Sequence, residues 1–239
     1  MDFVTIYIIA GILILPVFIY GMISQSNVHS TFEKYSQVTA GEKPASEVAH
    51  ELLTNEGVTN IDIVRINGKL TDCYNSKHKV IKLSSSVFDS NSISAIGVAA
   101  HEAGHAVQDA KKNLLFRLRQ IIIPVTNFIN RAFIPLIFIG AILNYMFFLP
   151  AIGYYITLIS VILYGSSLLV SLVTLPLEYD ASKKALAMLK KAGFSENELS
   201  DSKKVLKAAI HTYISSMLTS LLYFMRFLSL LMLLNDRRK

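Results

Sequence analysis

Two histidines four residues apart, with a glutamate directly after the first, are the residues of this chain best suited to chemistry: His101-Glu102-Ala103-Gly104-His105. On a helix, positions i and i+4 project from one face, so both imidazoles reach a single ion at about 2.0–2.1 Å. Glu102 emerges roughly 100° round the helix from His101, an offset that suits a base and not a third ligand. In such an arrangement zinc lowers the pKa of a bound water to about 7, the carboxylate accepts its proton, and the hydroxide attacks a polarised carbonyl. The bland alternative is two core histidines with unrelated partners. The helical context disfavours it, because Gly97, one turn before His101, leaves room for metal and substrate.

Two imidazoles leave a catalytic zinc short of its usual three protein ligands. Glu178 is the candidate for the third, since it stands where a long apolar stretch gives way to a polar helix. Asp180, two residues on, is placed either to orient a ligating imidazole through its second ring nitrogen or to meet the dipole of a helix N-terminus. His29, His50, His78 and His211 have no partner at ligand spacing. Tyr179, Tyr213 and His78 are open choices for a donor to a developing oxyanion.

These side chains need elements to hold them. Residues 92–112, rich in alanine and preceded by Asp89, Ser90 and Asn91 as capping candidates, predict the helix that carries both histidines. Upstream, Pro44 followed by apolar residues at helical spacing predicts a helix that Gly57 ends. Alternation over Ile61–Ile66 predicts a strand, Asn67-Gly68 a hairpin turn, and Lys79–Leu83 a second strand. That second strand is expected to offer a free edge on which an extended substrate backbone docks.

Composition sets the surroundings. Of 239 residues, 52% are hydrophobic and 17% charged, against about 25% charged in soluble domains, so a mainly α membrane protein with a small α+β zincin-like catalytic element is expected. About three to four hydrophobic helices are foreseen. Residues 3–23 have the length of a span and lack the basic start of a cleaved leader, which predicts an uncleaved anchor. The layout is read as one membrane-bound domain: the anchor, a catalytic segment over 24–120, a membrane hairpin over 121–175 turning at Leu149-Pro150, a second catalytic segment over 176–212 and a C-terminal apolar helix over 213–234. Asn127, Asn130 and Arg131 fall early in the hairpin, so its lipid-facing part starts near Ala132. An even number of crossings returns Glu178 to the face on which His101 lies.

The formal charge of +6 does not point to nucleic acid, because the basic residues flank apolar runs and act there as topology signals. They place the catalytic segments on the cytoplasmic side of the membrane, with Arg237, Arg238 and Lys239 as the exception. Cys73 is the only cysteine, which rules out an intrachain disulfide and a thiolate-rich metal site. A transporter is disfavoured, because Arg131 and Arg226 are the only arginines within apolar segments and neither has an acidic partner in the sequence.

Over nearly its whole length the chain resembles the membrane-embedded neutral zinc metallopeptidases of the YugP type. The likeness rests on KYSQV, SEVAHELL, GKLTDCYNSKHKVIKLSSSVF, VAAHEAGHAVQ, LVTLPLEYDASKKAL and KKVLKAAIHTY. It departs from the family pattern at Cys73, Asn75 and Ser76, where relatives carry a histidine and Asp-Pro. The resemblance implies zinc on His101, His105 and Glu178, with Glu102 as base, in a glutamate-zincin arrangement similar to that of HtpX-like membrane proteases. Its implied partners are the lipid bilayer and a peptide or membrane-protein substrate. The alternative is an inactive membrane scaffold or adaptor with a structural zinc.

Overall fold

The computed structural model describes residues 2–146 and 149–238. In chain order the elements are α1 (Phe3–Ser36), α2 (Ala45–Asn55), β1 (Asp62–Ile66), β2 (Cys73–Asn75), β3 (Val80–Ser84), α3 (Ser85–Phe88), α4 (Ile93–Ala110), α5 (Leu114–Tyr145), α6 (Pro150–Lys191) and α7 (Glu196–Arg238). The chain is a mainly α membrane protein with a small three-stranded sheet. It divides into two compact units, one of residues 1–22, 118–175 and 213–239, the other of residues 23–117 and 176–212.

The first unit is apolar on its outside. Ile12, Leu15 and Phe18 of α1 are each about three-fifths exposed, an arrangement that lipid solvates and water does not. Three helices, α1, α6 and α7, are long and apolar enough to cross a membrane. A fourth span is present if the two halves of α5 count as one; they bend by 44° between Ile129 and Arg131. Pro135 accounts for the bend, because it lacks the N–H that would meet the carbonyl of residue 131 and its ring pushes that carbonyl aside.

The apolar run over 213–234 is part of a single helix with the polar segment before it. Arg226, which interrupts the run, takes an aromatic partner in place of an acidic one. Its guanidinium lies 4.4 Å from the centre of the Tyr7 ring and donates to the Tyr7 hydroxyl at 3.1 Å, a cation–π pairing that strengthens away from water. The side chains of Asn130, Arg237 and Arg238, and the whole of Phe147, Phe148 and Lys239, lie outside the described residues.

The second unit is built round a sheet of order β1-β3-β2. The hairpin expected at Asn67-Gly68 does not form. β1 and β3 pair in parallel, Ile63 opposite Ile81, and the antiparallel hairpin is β2–β3, Tyr74 opposite Ile81. Its turn is shaped by Asn75, whose side chain accepts from the His78 N–H at 3.0 Å, and by Lys79 in the left-handed region. The Lys79–Leu83 strand is therefore central and has no free edge. Ile81 and Leu83 are fully buried in one apolar cluster with Leu52 and Leu53 of α2, Ile96 and Ala103 of α4, and Leu189 of α6.

The helix carrying the histidines starts at Ile93, capped by Ser92, whose hydroxyl accepts from the Ala95 N–H at 3.3 Å. Its first residue is tied to the segment after α1 by Ile93 N–H to Val38 carbonyl at 2.8 Å. The hairpin over 121–175 and the segment over 176–212 are not parted by a helix break at Pro176. Instead α6 continues through it to Lys191, and Gly193 at φ +90° ends it, a conformation that costs glycine little.

Three helix ends meet at Glu56, which follows α2. Its carboxylate accepts from Lys111 beyond α4 and Lys191 at the end of α6, each at 2.7 Å. Hydrogen bonds from Lys111 and Lys191 hold its pKa below the ordinary value of 4.5. A carboxyl depressed on folding stabilises the protein above its unfolded pKa, and that contribution disappears as pH falls through the folded value. Glu56→Gln is therefore expected to lower stability by about 1 kcal/mol at neutral pH and to converge with the parent below about pH 4, as read from thermal melts in detergent.

Candidate metal centre

The two histidines owe their common direction to the regular helix over Ile93–Ala110. What brings a ligand from another helix to them is the scarcity of side chains on α4. A β carbon on Gly104 would lie 2.7 Å from the Ala181 carbonyl oxygen, below any tolerated contact, so α4 and α6 cross backbone against backbone at this point. Gly97, expected to leave room for substrate, instead faces Ser202 of α7, whose β carbon would be 3.8 Å from an added one. Its smallness serves helix packing.

The crossing sets Glu178 between the imidazoles. His101 Nε2 lies 3.1 Å and His105 Nε2 3.3 Å from the same Glu178 oxygen, Oε2. One candidate ligand atom from each of the three residues falls within 4.8 Å of the others. Four ligands placed tetrahedrally at 2.0–2.1 Å are about 3.3 Å apart, so the two nitrogen–oxygen separations match edges of a zinc coordination shell. The donor set, two neutral nitrogens and one carboxylate, also fits a catalytic zinc site that retains an open position.

Burial shapes the charges. Glu178 is 1% exposed, and burial acts to raise its pKa. Hydrogen bonds and charge from His101 and His105 outweigh that and hold the carboxyl well below the usual carboxylate range. Burial likewise opposes a proton on His105, but Glu178, aided by Glu102 and Gln108, pushes its pKa up. Glu102 is buried on α4. Its charge reaches Cys73 on β2, where burial first and Glu102 second raise the thiol's pKa.

The far side of each imidazole is also held. Gln108 Nε2 donates to the Leu177 carbonyl at 2.9 Å and to Asp180 Oδ2 at 2.8 Å. Both partners are acceptors only, so the amide has a single orientation and turns its oxygen toward His105. His105 Nδ1–H must then donate to Gln108 Oε1, at 2.9 Å, which leaves Nε2 with its lone pair free to meet a cation. Asp180 thus stands one residue further out than the direct imidazole contact expected of it. It orients Gln108, and Gln108 fixes the imidazole. On His101, Nδ1 faces the Ser182 hydroxyl at 3.2 Å.

Gln108 and Ser182 escaped the sequence reading. Their spacing carries a signal: Gln108 is three residues after His105, and Ser182 is four after Glu178, on the ligand faces of their helices. Of the candidate oxyanion donors, Tyr179 is 62% exposed and His78 is exposed, while Tyr213 belongs to the other unit. β2, not β3, is the strand nearest α4 with an outer edge; Tyr74 on it donates to Asp109 near the end of α4 at 2.7 Å.

Comparison with known proteins agrees with this chemistry. A family described as "Putative neutral zinc metallopeptidase" matches residues 10–232. The chain is 37% identical over 216 residues, 90% of its length and 92% of the relative's, to a protein of Bacillus subtilis (strain 168) named "Putative membrane protease YugP". No solved structure matches significantly.

Two substitutions test the supports of the site. Gln108→Ala removes the acceptor of His105 Nδ1–H and is expected to weaken zinc binding about 10–100-fold, measured by competition with a chelator. Gly104→Ala forces a β carbon against main chain and is expected to cost about 1–3 kcal/mol together with metal affinity, measured by melting with and without zinc.

Proposed function

Since the chain belongs to the neutral zinc metallopeptidase family, we propose that it is an endopeptidase hydrolysing peptide bonds at or near the membrane, with zinc on His101, His105 and Glu178 and Glu102 as general base. The observation that carries this reading is the convergence of two imidazole nitrogens and one carboxylate oxygen at separations that suit one small cation. Bound there, zinc supplies Lewis acidity, polarising a substrate carbonyl and bringing a water's pKa to about 7.

The chain's own residues supply the rest. Glu102 takes the proton from the attacking water on its carboxylate and passes it to the departing amine nitrogen, as one group serving as base and then acid. Gln108 and Ser182 keep the Nδ1 side of each ring occupied, so each presents Nε2. The outer edge of β2 accepts an extended peptide backbone by strand addition, which favours unfolded or extended segments over a fixed sequence. Tyr74 on that strand donates to Asp109 of the histidine-bearing helix at 2.7 Å, and this contact supports the edge as the approach to the site.

The membrane spans supply the setting. Basic residues concentrate in the segments that form the metal-bearing unit, which by the positive-inside tendency faces the cytoplasm of a bacterial membrane. Membrane proteins, leaders and their clipped fragments are the substrates such a placement favours.

Glu102→Gln in the full-length protein separates an enzyme from a scaffold with structural zinc. The expected result is a full complement of zinc with cleavage of an unfolded reporter protein reduced at least about 10²-fold. Unchanged cleavage would reject Glu102 as the base. Glu178→Ala is expected to lose zinc as well as cleavage, and retention of metal by that variant would remove Glu178 from the ligand set.

A further inference from the structure

A second polar site lies away from the metal centre. α1 contributes Asn27, Thr31, Lys34 and Tyr35 to one wall of a groove of about 360 Å³. α7 contributes Lys204, Lys207 and His211 to the other. We propose that this groove binds the phosphate of an anionic lipid headgroup.

The charge of the groove is one-sided. Three lysines line it and no carboxylate does, among the described residues. Asp201 accepts from Lys204 at 2.8 Å, whereas Lys34 and Lys207 have no carboxylate within salt-bridge reach among the described residues. Tyr35, 6% exposed, forms the floor, with the Lys34 and Lys204 ammonium groups 5.5 and 5.8 Å from its ring centre. Such contacts with the ring hold both cations near the groove. Thr31 donates its hydroxyl to Asn27 Oδ1 at 3.3 Å, which turns the Asn27 amide NH2 outward as a neutral donor for a phosphate oxygen. Three cations and this donor round a concave surface suit a phosphodiester better than a carboxylate, which has fewer acceptor oxygens to satisfy.

Position identifies the source of the phosphate. On α1 the apolar run ends at Ile23, and Asn27 follows after about 6 Å of helix rise. On α7 the apolar run begins at Tyr213, two residues after His211 and about 9 Å of rise after Lys207. Each helix taken alone therefore places the groove where its own span leaves the hydrocarbon, at the depth of lipid headgroups. Basic pockets at this level are where anionic headgroups are held.

The test is native mass spectrometry of the full-length protein in detergent, titrated with phosphatidylglycerol or phosphatidylcholine. The parent protein is expected to bind one phosphatidylglycerol about tenfold more tightly than phosphatidylcholine. Lys34→Glu with Lys207→Glu should erase that preference, whereas Lys77→Glu with Lys112→Glu, an equal change of net charge elsewhere, should keep it. An unselective parent protein, or a preference that survives the first pair or falls equally with the second, overturns the proposal. So does displacement of the lipid by millimolar inorganic phosphate, which would make free phosphate the ligand. The milder pair Lys34→Gln and Lys207→Gln reads the same loss if the charge reversals fail to fold.

Discussion

A carboxylate taken out of water costs several kcal/mol unless positive charge or a metal meets it, and the second unit is arranged round one such group. Glu178 is almost wholly buried, and both imidazoles converge on the same one of its oxygens. Without α4 these neighbours would be absent, and without the glycine at the crossing α6 would stand too far away to deliver the acid. The composition of α4 follows from this. Ala99, Ala100, Ala103 and Ala106 are buried with no exposure, so the helix packs on several neighbours while His101, Glu102, His105 and Gln108 project its functional groups at the site.

The polar network shows how a buried site is kept from becoming a burden. Each imidazole has a partner on its second nitrogen, and the Gln108 amide satisfies two acceptors with one end. A partly satisfied network in this setting would cost more than an apolar core. The outermost member, Asp180, reaches toward Lys184 and half-solvated surroundings. The neighbouring sheet is coupled to the same helix through Tyr74 and Lys79, both of which donate to Asp109.

Much of this was legible in the chain, and the reasons differ from residue to residue. His101, Glu102 and His105 announce themselves because helical period alone fixes their mutual geometry. Glu178, seventy-three residues after His105 by numbering, was accessible only through topology, the rule that two crossings return to one side. The mainly α membrane architecture followed from long apolar runs, which only helices can carry across lipid. Strand order was not legible: alternation reveals a strand but not its neighbour, and the Asn67-Gly68 signal is equally compatible with a turn that leads elsewhere. The continuity of α6 across the 175/176 boundary was not legible either, because Pro176 sits inside a helix that is packed on both sides of that residue, with Thr174 and Leu177 buried. Gln108 was hidden for another reason. An amide carries no charge signature, and its importance comes from what its two ends touch.

The contact at Gly104 has a consequence for how this protein can change. Where buried side chains meet side chains, they can exchange volume with one another over generations while the helices stay where they are. At Gly104 the neighbour is the peptide oxygen of Ala181, which no codon can trim. Drift in the core is therefore free to rewrite the walls, but the hinge on which they hang has a single allowed letter, and any lineage that loses it must relocate a helix to recover.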